Sequence, residues 1–125
     1  MPSVKKLIVL AVAAVAVLAT PASAADRKSG NRGEARAQVD FGVRVAQQGL
    51  WREATYRWER AIELDPTYAA AYNNLAVAYE QAGLLDKAKQ AYQKAAELDP
   101  KNPSIKQNIE LFKEINDRAS RQTPK

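Results

Sequence analysis

The strongest constraint on this chain is a period of 34 residues: positions 35–68 and 69–102 align on one another without a gap. Gly49 falls on Gly83, Leu50 on Leu84, Ala54 on Ala88 and Ala61 on Ala95. The run Glu63-Leu64-Asp65-Pro66 falls on Glu97-Leu98-Asp99-Pro100. A repeat of that length holds one supersecondary motif that cannot bury its apolar face alone, so the copies must stack to make a core.

Each unit reads as helix, turn, helix. In the second, Tyr72, Leu75, Ala76 and Tyr79 recur at spacings of three and four, which places them on one helical face. Gly83 then interrupts, where glycine allows the backbone reversal that ends one helix and starts the next. Leu85, Ala88, Tyr92 and Ala95 form the stripe of the second helix, and Asp99-Pro100 stops it, since a helix does not readily run into proline. The first unit does the same with Phe41, Val45, Gly49, Trp51, Ala54, Trp58, Ala61 and Pro66. Ala54 and Ala88 let paired helices approach closely, and facing aromatics fill the gap, each burying roughly 150–250 Å². Trp51 and Trp58, seven apart, share a face and read as core. Arg52, Arg57 and Arg60 interleave with Glu53, Glu59 and Glu63, which reads as a solvated face with helical ion pairs rather than a phosphate patch.

A 34-residue unit ordered aromatic, Leu-small, aromatic, Gly, Ala, aromatic, Ala, Pro resembles the tetratricopeptide repeat (TPR). The second unit carries the pattern at Tyr72, Leu75, Ala76, Tyr79, Gly83, Ala88, Tyr92, Ala95 and Pro100. The first departs at Gln38 and Val45, where the family usually has an aromatic. Both lie in its first helix, which has no preceding repeat to pack on and so needs a polar outer face. The resemblance covers residues 35 to about 118. It implies an all-α helical-hairpin solenoid of about five helices: repeats at 35–68 and 69–102 and a solvating helix at 103–118. Asn102 suits the N-cap of that last helix and Pro103 its first position, and Ile105, Ile109, Phe112 and Ile115 give its apolar stripe. Residues 119–125 are polar and are expected to fray. About three repeats are usual for a stable solenoid. The array is therefore either marginal alone or completed by a partner or a second copy, as a homo-oligomer.

In the family, the first helix of each unit lines a concave groove. Carried onto this chain, the groove positions are Arg36, Val39, Val43, Ala46 and Gln47, then Ala70, Asn73, Val77, Glu80 and Gln81, then Ser104, Gln107, Leu111 and Glu114. Val43, Val77 and Leu111 are spaced by 34 and form either an apolar line along the groove or partly buried helix contacts. Asp40, Asn74 and Asn108, also spaced by 34, either meet a peptide backbone or bridge neighbouring repeats. TPR domains that grip chaperone tails hold a terminal carboxylate with Lys, Arg and Asn. Here Val39, Val43, Ser104 and Asn108 occupy such places and the cations are missing, so no such clamp is expected.

Residues 1–24 read as a secretory signal peptide, with Lys5 and Lys6 ahead of an unbroken apolar run at 7–19. Thr20 and Pro21 break it, and Ala22-Ser23-Ala24 sets the cut between Ala24 and Ala25. The alternative is an uncleaved anchor, but a spanning helix needs about 20 apolar residues. Without a cysteine no lipoprotein is expected, and the Ala-Ser-Ala box looks bacterial, so the expected location is periplasmic or secreted, with no stable membrane span after cleavage. Residues 25–34, rich in Arg, Lys, Ser and Gly, read as a flexible basic leader.

The chain has neither cysteine nor histidine, which removes thiolate metal sites and the commonest general base. No phosphate loop or nucleophile elbow appears, and Glu80 and Glu114 sit two helices apart in an open groove. No enzyme, cofactor or metal is expected. The 19 Lys and Arg exceed the 14 Asp and Glu by five, and without Lys5 and Lys6 by three, with no dense basic run, so no nucleic acid is expected. The expected function is a protein-interaction module, adaptor or scaffold, of the cell envelope, binding a peptide or partner helix in the groove. The alternatives are an accessory subunit docked through the solenoid end, or a binder of anionic surfaces through the basic termini.

Overall fold

The hairpins are made by two glycines at equivalent places. Gly49 and Gly83 have φ of 78° and 72°, in the left-handed region that suits glycine. At each, two backbone bonds close the end of the preceding helix. Leu50 N–H donates to Val45 O (3.0 Å) and Gly49 N–H to Ala46 O (2.9 Å), and in the second repeat Leu84 N–H donates to Tyr79 O (2.9 Å) and Gly83 N–H to Glu80 O (3.0 Å). This is the Schellman arrangement, which satisfies carbonyls that a helix end otherwise leaves unpaired. The carbonyls of Leu50 and Leu84 then accept from Ala54 and Ala88, starting the next helix within one residue of the turn.

The computed structural model describes residues 24–122, with side chains from residue 31 onward. It contains α1 (Ala24–Gln47), α2 (Trp51–Leu64), α3 (Ala69–Gln81), α4 (Leu85–Leu98) and α5 (Pro103–Gln122), with no strand among the described residues. α1 pairs with α2 and α3 with α4; α3 also packs on α2 and α1, and α5 on α4. This is the all-α, five-helix hairpin stack that the repeat implies. Except for Ala24, the segment read as a signal peptide lies outside the described residues, as do residues 123–125 of the tail.

The core follows the repeat. Ala54, Ala61 and Trp58 of α2 are buried with Ala35, Val39 and Val45 of α1 and with Ala71, Leu75 and Ala78 of α3. Trp58 Nε1 donates to Val39 O (3.2 Å), so its polar edge is satisfied inside the core. Ala76, Ala88, Ala91 and Tyr92 close on Phe112, and Ala69 and Ala95 close on Ile105. Phe41 and Leu85, expected on the buried stripes, stand 37% and 46% exposed. Phe41 instead lies under the Arg57 guanidinium, 4.3 Å from the ring centre, and Arg57 also pairs with Glu53 at 2.7 Å.

Two boundaries differ from the sequence reading. The residues read as a flexible leader, 25–34, continue α1 as helix. A tertiary contact accounts for the difference: Arg32 pairs with Asp65, donates to Thr67 Oγ1 (3.0 Å) and stacks on Tyr68 (4.7 Å), tying α1 to the turn between α2 and α3. At the other end α5 runs to Gln122, beyond residue 118. Asn116 and Ser120 donate to the carbonyls of Phe112 and Asn116 (both 2.9 Å), side-chain bonds made within the helix itself. As expected, Asn102 caps α5, its Oδ1 accepting from Ser104 N (3.0 Å) and Ile105 N (3.2 Å).

Candidate partner-binding groove

The sequence-predicted site residues lie on α1, α3 and α5. Arg36, Asp40, Val43 and Gln47 of α1 are exposed, as are Gln81 of α3 and Gln107 and Leu111 of α5. Asn73, Asn74, Val77, Glu80 and Asn108 are half-buried. Val39 does not join them. It is 5% exposed and belongs to the core, because α1 turns it toward α2, where Trp58 packs and bonds to its carbonyl. Val43, four residues on, remains exposed at 37%.

A cavity of about 400 Å³ lies between α3 and α5. It gathers five predicted residues, Val77, Glu80, Gln81, Asn108 and Leu111. Val43 and the other α1 residues lie outside it, so the apolar line spaced by 34 is continuous only from Val77 to Leu111. Leu85, Tyr92, Ile115 and Asn116 also line the cavity and were not foreseen as site residues. Ile115 follows Leu111 by four, and that spacing alone could have placed it there. Tyr92 reads as core from its place in the repeat, and it is buried, yet it also lines the cavity, where its hydroxyl meets Glu80.

Polar contacts fix the cavity floor. Tyr92 Oη donates to Glu80 Oε2 at 2.5 Å. Burial, then the Glu80 hydrogen bond and charge, push the Tyr92 phenol well above its ordinary value. The Tyr92 ring meets Phe112 of α5 at 5.4 Å between centres, tilted by 54°. Asn108 Nδ2 donates to Asn73 Oδ1 at 3.1 Å, linking α5 to α3. One member of the amide row therefore bridges neighbouring repeats, through Asn73 rather than Asn74.

Other clefts flank the stack. One of about 600 Å³ lies between α4 and α5, bordered by Lys89, Gln93, Ala96, Ile109 and Phe112. One of about 340 Å³ lies between α2 and α3, beside Trp51 and Ala78. Among the described residues no group of three or more Asp and Glu is placed to hold a metal, and no helix is long and apolar enough to cross a membrane.

Helical hairpins stacked at a fixed period, with a groove across their first helices, define a helical-repeat protein. Residues 44–83 match the family model for the TPR repeat, and residues 69–102 match that for the tetratricopeptide repeat. Residues 44–102 are therefore tetratricopeptide repeats. No curated protein matches the chain as a relative. Proteins of this family generally mediate protein–protein interaction and are typically non-enzymatic scaffolds.

Proposed function

We propose that this chain is an adaptor of the bacterial cell envelope that binds a peptide or a helix of another protein on the α1–α3–α5 face. The cavity between α3 and α5 carries this reading: Val77 and Leu111 present apolar surface beside amides that suit a peptide backbone. Export rests on the N-terminal sequence, a charged start, an apolar run and Ala22-Ser23-Ala24. N-terminal sequencing of the protein recovered from the periplasm or medium is expected to begin at Ala25; an intact N-terminus would contradict export by cleavage.

Binding is tested by capture from envelope extract with the wild type and Val77→Glu side by side. Val77 is half-buried against the Ala76, Tyr92 and Phe112 cluster, so a charge there opposes its own packing as well as any apolar side chain seated on it, and the fold of the variant is measured alongside. A partner held by the wild type and lost by the variant, with both folded by circular dichroism, is the expected result. A partner retained by both would place the interface elsewhere. The cleft between α4 and α5 favours one such place, the solenoid end, where the chain would dock as an accessory subunit. Ile109→Glu would then release the partner instead.

A further inference from the structure

Resting on the groove reading, the next question is what chemistry the cavity between α3 and α5 selects. Its walls are aliphatic: Val77, Leu85, Leu111 and Ile115. The last three stand 46%, 48% and 60% exposed, more than their own packing requires. Between them lie the carboxylate of Glu80, the amides of Gln81, Asn108 and Asn116, and Tyr92. Glu80 is the only charged residue lining the cavity. One of its oxygens accepts from Tyr92 Oη, and the other is left for a second donor. Among the described residues no ion pair uses Glu80.

The two asparagines add to this polarity. Asn108 spends its Nδ2 on Asn73, and Asn116 spends its Nδ2 on the Phe112 carbonyl. Among the described residues neither Oδ1 accepts a hydrogen bond, so each amide keeps an acceptor for an incoming donor, beside the one N–H that its Nδ2 retains. An aliphatic slot ending in a carboxylate and amide oxygens, with no resident cation, complements a long side chain with an apolar stem and a donor-only head. Lysine and arginine have that form.

We infer that the α3–α5 cavity is a socket for a lysine or arginine side chain of the bound segment, its stem on Leu85, Leu111 and Ile115 and its cation on Glu80, Asn108 and Asn116. The groove thus selects a segment that carries a basic residue beside apolar ones. A partner supplying an acidic residue or a free carboxylate at this position would meet Glu80 and be rejected.

The probes are three fluorescent, acetylated and amidated peptides, (Leu-Lys)4, (Leu-Gln)4 and (Leu-Glu)4, titrated against the purified chain by anisotropy. A hydrogen-bonded charge in a partly buried site is expected to favour (Leu-Lys)4 over (Leu-Gln)4 by about tenfold or more, with (Leu-Glu)4 weakest. Glu80→Gln keeps an acceptor for Tyr92 and removes only the charge, so the fold is expected to persist and the preference for lysine over glutamine to vanish. Equal binding of the lysine and glutamine peptides by the wild type, binding of neither, or a lysine preference that survives Glu80→Gln would overturn the socket. Val77→Glu separates the two claims. If it weakens the glutamine and lysine peptides alike while Glu80→Gln changes nothing, the groove reading stands and the socket falls. If it changes neither, the peptides bind elsewhere and both fall.

Discussion

Gly42 and Trp58 in the first repeat stand where Ala76 and Tyr92 stand in the second. The larger aromatic faces the smaller partner. A Cβ built on Gly42 would lie 2.4 Å from Trp58 Nε1 and 2.8 Å from the adjoining ring carbons, and the indole is buried and cannot swing aside. Gly42→Ala is expected to destabilise the fold by about 1–3 kcal/mol through overpacking, read as a lower urea midpoint with the Trp58 emission as probe. A midpoint at or above the wild type would contradict the packing. Asp65 gives a second test. Burial raises its carboxyl, but hydrogen bonds from Thr67 and then the pairing with Arg32 outweigh burial and hold it below its ordinary value. A depressed carboxylate contributes stability at neutral pH that is lost as pH falls through its folded value. Asp65→Asn is therefore expected to lower stability at pH 7 and to flatten its decline below about pH 4. Arg32→Ala, with the arginine side chain 45% exposed, is expected to lose only about 0.5–1 kcal/mol. Neither the Gly42 packing nor the Arg32 link was seen in the sequence. The first was legible in principle from the paired exchange across the period. The second was not, because Arg32 lies before the first repeat and has no counterpart at the same spacing in the second.

At the scale of elements, turns and caps were the most legible features, because they depend on local chemistry. Gly49, Gly83, Pro66, Pro100 and Asn102 set the limits of α2, α3 and α4 and the start of α5 where the repeat places them. A Cβ on Gly83 would meet nothing within 4 Å, so its substitution is opposed by backbone geometry alone. Gly83→Ala is expected to lower stability by about 1–2 kcal/mol in chemical denaturation, with a similar loss for Gly49→Ala. The outer ends of α1 and α5 were not legible, since neither has an apolar stripe to announce it. α5 is the least secured of the helices that follow the first hairpin. Ile105 and Phe112 are its only buried residues, and Leu111 and Ile115 remain exposed. Its amides are expected to exchange with deuterium before those of α2 and α3. Equal protection across the three helices would show that α5 is held by more than these anchors.

For the molecule as a whole, the period showed that helices must stack and which faces must meet, but not how evenly the groove would open. Val39 illustrates the limit. It and Val43 are four apart and share a helical face on paper, yet α2 covers one and leaves the other exposed. A helix pattern gives the direction of a side chain, not the breadth of the neighbour lying over it. The consequence is a site concentrated between α3 and α5, away from α1, with Glu80 and Tyr92 at its floor. Whether partners use that site is tested most directly by cross-linking in the living envelope, with a photoreactive phenylalanine analogue placed in turn at Leu111 and at Lys89. The first position lines the α3–α5 cavity and the second borders the α4–α5 cleft. A cross-linked partner from Leu111 and none from Lys89 is the predicted result. Cross-links from Lys89 alone would contradict the groove and assign the interface to the end of the stack.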